Sequence, residues 1–183
     1  MGKVIVWNLM TLDGCFEGPE PWSLDFHELA WGPELRALSL GFGAKAEALV
    51  FGRKTYEGMA AYWPDADEEG EIKAYMNALP KLVASRTLTE PAWKNSRATA
   101  DIAGELRRLK AATEKELYIF GSGELIGSLL EEEGVIDEML IAVAPVILGR
   151  GRRLFGDGAR VGLTLRSAEG LPNGTVLLDY RVG

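Results

Sequence analysis

The chain has 183 residues and a mass of 19.9 kDa, the length of one domain and enough to bury about 70% of its unfolded surface without staples. Its 27 acidic residues outweigh 20 basic ones, giving a net charge of −7 and a pI near 4.9, which argues against nucleic acid or an anionic membrane as main partner. One cysteine, Cys15, and one histidine, His27, exclude an intrachain disulfide and a zinc site of the usual kind, and no metal is expected.

Val4 to Leu9 is an apolar, β-branched run that reads as a buried strand. Thr11-Leu12-Asp13-Gly14 follows, leading into a loop with Gly18, Pro19, Pro21 and Trp22. Asp13-Gly14 suits a plain turn, and a mobile loop covering a bound cofactor would sit at the same place. Cys15 and His27 are not read as a nucleophile and its base, because no third orienting group is identifiable. Leu35, Leu38 and Phe42 fall at helical spacing, and Ala48 to Phe51 is a short strand-like run ending at Gly52. Thr55 to Tyr62 reads as a helix that stops before Pro64. Asp65 to Glu71 reads as an acidic, solvated loop. It mimics the start of a calcium loop, but Met76 stands where a bidentate glutamate is required.

Lys81 to Ala84 is a further strand, and Ile102, Leu106 and Leu109 mark a helix face with Asp101 as its N-cap. Leu117 to Phe120 is a strand ending at Gly121. Leu125, Ile126, Leu129 and Leu130 give another helix face, closed by Gly134, and Ile136 to Leu148 contains a long strand. Residues 161–169 and 175–182 read as two strands joined by a turn at Pro172-Asn173-Gly174. Strand–helix units with an antiparallel ending predict a single α/β domain over residues 1–183, with a mainly parallel central sheet. The longest run without a charged residue, Met139 to Gly149, has 11 residues against the ~20 of a membrane span. The apolar start lacks a small-residue cleavage site, and Val6 stands where a myristoylation motif wants Ser or Thr, so a cytoplasmic protein is expected.

Three strand ends lead into small, polar or basic residues: Phe51-Gly52-Arg53-Lys54-Thr55, Ala84-Ser85-Arg86-Thr87 and Phe120-Gly121-Ser122-Gly123-Glu124. Ligands of open parallel sheets bind at the carboxyl ends of strands, where glycine admits close approach and a helix start offers free N–H groups to phosphate. Arg53, Lys54 and Arg86 add positive charge there, within an acidic chain. Such ends suit a ligand with several phosphates, such as a dinucleotide, although each alone also fits an ordinary turn or cap. Lys54 is misplaced for a Walker loop, and Gly127 comes one position late for a Rossmann fingerprint.

In their order, these stretches resemble the dihydrofolate-reductase-like superfamily, in the branch of the riboflavin-biosynthesis reductase domain and its stand-alone relatives. The resemblance also takes in Tyr62-Trp63-Pro64 and Pro145-Val146-Ile147-Leu148-Gly149-Arg150-Gly151. It implies a three-layer α/β/α fold and an NADPH-dependent reductase of a small heterocyclic or carbonyl-type substrate, similar to 5-amino-6-(5-phosphoribosylamino)uracil reductase. By the same resemblance, Gly52, Arg53, Lys54 and Thr55 hold one side of the pyrophosphate. Gly121, Ser122, Gly123, Glu124 and Leu125 hold the other. Ser85, Arg86 and Thr87 meet the adenosine ribose and its 2′-phosphate. Leu12, Asp13, Gly14 and Trp22 border the nicotinamide and substrate, and the proton donor is sought among Asp13, Asp25 and His27, with Glu28 beside them. Arg150, Arg152 and Arg153 are candidates for a substrate phosphate or for a subunit interface. A homodimer is compatible with the resemblance. The alternative is a non-catalytic small-molecule or nucleotide-binding protein on the same fold.

Overall fold

β1 (Lys3–Thr11) carries Ile5, Trp7 and Leu9 on one face and Val4 and Val6 on the other, and all five are buried. A strand that is apolar on both faces needs cover on both, which a parallel sheet between two helical layers supplies. The computed structural model, which describes residues 1–156, 158 and 160–183, has this arrangement. After β1 come β2 (Cys15–Glu17), α1 (His27–Ala30), α2 (Pro33–Lys45), β3 (Ala46–Gly52) and α3 (Arg53–Tyr62). Then follow α4 (Glu71–Ala78), β4 (Lys81–Ala84), β5 (Ser96–Thr99), α5 (Ile102–Ala112), β6 (Glu116–Phe120) and α6 (Gly123–Leu130). β7 (Glu138–Ala144), β8 (Arg152–Arg153), β9 (Leu163–Gly170) and β10 (Val176–Val182) end the chain.

One sheet has the order β5-β4-β3-β6-β1-β7-β10-β9. Its first six strands run parallel, and β10 and β9 close it as an antiparallel hairpin. Trp7, Phe42, Tyr118 and Met76 fill the core under α2 and α4. Val6, Leu106, Ile126 and Leu129 fill the opposite core under α5 and α6. The expected three-layer α/β/α fold, mainly parallel with an antiparallel ending, is thus present. β2 and β8 pair apart from this sheet, bringing Arg152 opposite Glu17. The hairpin turn also anchors α1, since Asn173 Nδ2 donates to the Ala30 carbonyl at 2.8 Å. No helix among the described residues is long and apolar enough to cross a membrane.

Two local expectations need correction. The acidic stretch after Pro64 is two short 3-10 turns, Trp63–Asp65 and Asp67–Glu69, running into α4. Ile72 and Met76, one turn apart and both buried, drive that helix onto the core. α6 stops at Leu130, and Gly134 lies beyond it in a separate turn with φ 71°. The strand expected within Ile136 to Leu148 is present as Glu138–Ala144. Asp101 does cap α5, its carboxylate accepting from Gly104 N at 2.9 Å.

Candidate active site

The parallel strands β1, β3, β4 and β6 all direct their carboxyl ends the same way. A cleft of about 1070 Å³ opens there, lined by residues that follow each of the four strands. Ligands of open α/β sheets lie in this position.

One end of the cleft is built from glycine loops. α3 and α6 begin side by side, and Ser122 ties their starts together. Its Oγ accepts from Gly52 N at 2.8 Å and donates to Thr55 Oγ1 at 2.7 Å. Ser122 holds a left-handed backbone, φ 67°, a strained geometry for a non-glycine residue. Gly121, also left-handed at φ 56°, passes so near Thr55 that a β-carbon would fall 2.9 Å from its methyl group. Bare backbone is therefore presented at two adjacent helix starts, where free N–H groups and the helix dipoles favour an anion. Arg53 and Lys54 stand at the start of α3, and Ser85 and Arg86 line the cleft just past β4. Arg53 is oriented by Glu57, at 2.8 Å, and by the Thr87 hydroxyl.

A chain of charges crosses the mouth. Glu124 meets Lys54 and Arg152, each at 3.3 Å. Arg152 pairs with Glu17 at 2.8 Å, and the other Glu17 oxygen accepts from Trp22 N at 2.6 Å. The Trp22 indole then lies on Gly58 in the middle of α3.

The other end of the cleft is aromatic. Trp7, Trp31, Trp63 and Tyr75 line it, and the Ser39 and Tyr75 hydroxyls share a 2.7 Å hydrogen bond. His27 stands edge-on to Phe26, with ring centroids 4.7 Å apart. Its Nε2 is buried and has no hydrogen-bond partner. Burial lowers the His27 pKa to about 4, against the opposing pull of Asp25, so the imidazole is neutral at physiological pH. Burial also raises the Tyr75 phenol pKa.

Among the residues singled out from sequence, Gly52, Arg53, Lys54, Thr55, Ser85, Arg86, Gly121, Ser122, Gly123, Glu124 and Leu125 all line the cleft, as do Trp22 and His27. Thr87 stands just outside, against Arg53. Leu12, Asp13, Gly14 and Asp25 do not line it. Asp13 accepts from Thr11 Oγ1 at 2.6 Å, Gly149 N at 2.8 Å and Leu148 N at 3.2 Å, and the Thr11 bond foremost holds its pKa below the ordinary carboxylate value. It fastens the turn after β1 to the loop after β7. Asp25 and Leu12 are exposed. Of the three candidate arginines, Arg152 alone lines the cleft. Sequence reasoning missed Glu17, Trp31, Ser39, Tyr75 and Gly58. A glycine inside the α3 pattern was the one available signal, since it costs helix stability unless something packs there.

The family model described as the RibD C-terminal domain matches residues 2–177. A Bacillus subtilis protein, YyaP, described as uncharacterized, is 27% identical over 185 residues, covering 97% of this chain and 94% of that protein. A solved structure from Shewanella sp. PV-4, assigned to riboflavin biosynthesis, superposes with a TM-score of 0.76 at 24% identity and covers 99% of each chain. Dihydrofolate reductase from Enterococcus faecalis, solved with NADP(H), superposes with a TM-score of 0.62 at 12% identity, covering 100% of this chain and 97% of that one.

Proposed function

The chain belongs to the RibD C-terminal domain family, and on that premise we propose that it is an NADPH-dependent reductase of a small heterocyclic or carbonyl-type substrate. The observation that carries this reading is the glycine-loop end of the cleft. Two helix starts locked together by Ser122, with Arg53, Lys54 and Arg86 around them, suit a pyrophosphate and a further phosphate. The close approach of Gly121 to Thr55 leaves backbone, not side chain, facing such a group.

In this reading Gly52 to Thr55 and Gly121 to Leu125 bind the pyrophosphate, and Ser85, Arg86 and Thr87 face the adenosine ribose and its 2′-phosphate. When bound, reduced nicotinamide supplies a hydride. The chain's own residues position the acceptor and exclude water. Trp22 covers the mouth, while Trp7, Trp31 and Trp63 shape the chamber in which the acceptor is held. His27, neutral, lines the chamber without adding charge to it. Among the described residues, the three carboxylates that line the cleft are each engaged by a basic residue, Glu17 by Arg152, Glu57 by Arg53, and Glu124 by Lys54 and Arg152. We therefore assign delivery of the proton to water.

The same engagement favours a second reading, a non-catalytic binding protein on this fold. Loss of nicotinamide absorbance with a panel of heterocyclic and carbonyl compounds distinguishes them. Turnover with any member supports the reductase. Tight NADPH binding with no turnover across the panel supports the binding protein. We place the protein in the cytoplasm, with the small-molecule substrate as its main partner and a homodimer as its assembly. The exposure of every residue of the edge strand β9 supports that assembly, and sedimentation tests it.

A further inference from the structure

The closing hairpin has two unlike faces. Residues paired across neighbouring strands point the same way, so the register sorts every side chain of β9 and β10. One face carries all four charged residues of the two strands, Arg166, Glu169, Asp179 and Arg181. Arg166 is fixed there by Glu138 of β7 at 2.5 Å and by Asp179 at 3.7 Å. The other face carries Leu163, Leu165, Val176, Leu178, Tyr180 and Val182, with no charged residue among the side chains of β9 and β10. Leu178, Tyr180 and Val182 pack at the margin of the core under α5 and α6. Leu163, Leu165 and Val176 lie beyond it and are 44%, 54% and 38% exposed. An antiparallel sheet with one wet face puts its polar side chains there and buries the other. Here the charged face is the wet one, and the apolar face is left open as well. A contiguous apolar sheet face in this position marks a contact surface.

We infer that two copies of this chain pack sheet on sheet, each laying the Leu163–Leu165 face of its hairpin on the same face of the other. Charge selects a second copy as the cover. Chains of net charge −7 repel one another, and a face free of charged side chains lets them meet without opposing like charges. A two-fold axis sets such a face against its own image. The strand itself selects face over edge. The register of β9 against β10 shifts between Asp179 and Tyr180, leaving Arg166 as an extra residue, and a bulge of this kind breaks the straight edge that strand addition needs. The face spans about 25 Å along the strands and about 15 Å across β7, β10 and β9, which places the contact at the small end of specific interfaces and its Kd in the micromolar range. The inference gives the homodimer proposed above its surface, and it holds whether or not the cleft turns over a substrate.

The test is sedimentation velocity of the full chain from about 2 to about 200 μM, a range that brackets a micromolar Kd. A dimer that grows with concentration is expected. Leu165→Lys sets a charge against its own image in the contact and is expected to weaken association about tenfold or more. Its side chain is exposed, so the melting temperature should hold, and Leu163→Lys serves if it does not. Thr164→Lys puts the same charge one residue away, on the opposite face of β9, and should change association less than about twofold. Neither Leu165 nor Thr164 lines the cleft, so a cofactor titration of each variant reports on the reductase reading separately. Monomer at every concentration overturns the inference. So does a dimer that both leucine variants leave intact, or one that Thr164→Lys weakens as much as Leu165→Lys does, which would place the contact at the edge or on the charged face.

Discussion

The indole of Trp22 lies against Gly58 so closely that a β-carbon built on the glycine would fall 1.6 Å from the ring. A glycine in the middle of α3 costs about 1 kcal/mol of helix stability relative to alanine, and here it makes room for a side chain that lines the cleft. Gly58→Ala should therefore dislodge Trp22 while leaving the fold no less stable. The expected signature is a red-shifted tryptophan emission and a severalfold weaker affinity for cleft ligands, with the melting temperature unchanged or higher. Unchanged emission and affinity would show that Trp22 does not close the site.

Arg86 stands past the end of β4, beside Ser85 and at the rim of the glycine-loop end. If it reads the 2′-phosphate, Arg86→Ala should weaken NADPH about tenfold or more and NADH less than about twofold, consistent with the loss of one charged hydrogen bond. Parallel titrations of both cofactors measure this. Equal losses would remove Arg86 from that role.

Ser122 joins the starts of α3 and α6 through bonds of 2.8 Å and 2.7 Å to Gly52 N and Thr55 Oγ1. Ser122→Ala should cost about 1–2 kcal/mol in stability, because a buried N–H and a hydroxyl both lose their partner. It should also weaken NADPH, since the two helix starts would no longer be fixed relative to each other. Urea unfolding combined with a cofactor titration checks both effects. A loss of stability without a loss of affinity would make Ser122 a purely structural tie.

His27 yields a pH dependence whose sign follows from its low folded-state pKa of about 4 against an ordinary value of 6.5. Between these values the unfolded chain binds the proton more readily than the folded one, so stability falls as pH drops through that window. The contribution lost between about pH 7 and about pH 4.5 is ~2 kcal/mol. His27→Gln should remove that part of the slope, read as the difference between the two proteins in denaturant unfolding at each pH. Identical slopes would contradict the buried, neutral imidazole.

The fold was legible where side chains are apolar at a regular period. Val4 to Leu9, Ala48 to Phe51 and Leu117 to Phe120 all lie in central strands, and Asp101 caps the helix it was expected to cap. β5, the polar run Ser-Arg-Ala-Thr, carried no such pattern, because it is an edge strand held by backbone pairing to β4 alone. α4 was hidden because the acidic residues before it dominate the stretch, while its buried face is only Ile72 and Met76. The glycine loops of the cleft were readable because they depend on local backbone chemistry. The aromatic end was not, because it gathers Trp7, Trp31, Ser39 and Tyr75 from four separate elements or loops. Asp13 misled because a turn carboxylate that accepts from its own neighbours looks, in sequence, like one free to meet a ligand.

Binding of NADPH at the glycine-loop end is tested most directly by titrating the purified protein with NADPH and following nicotinamide fluorescence. A saturable enhancement in the micromolar range is expected, abolished or strongly weakened in Arg86→Ala. No enhancement up to about 1 mM, the upper end of ordinary substrate affinities, would contradict it.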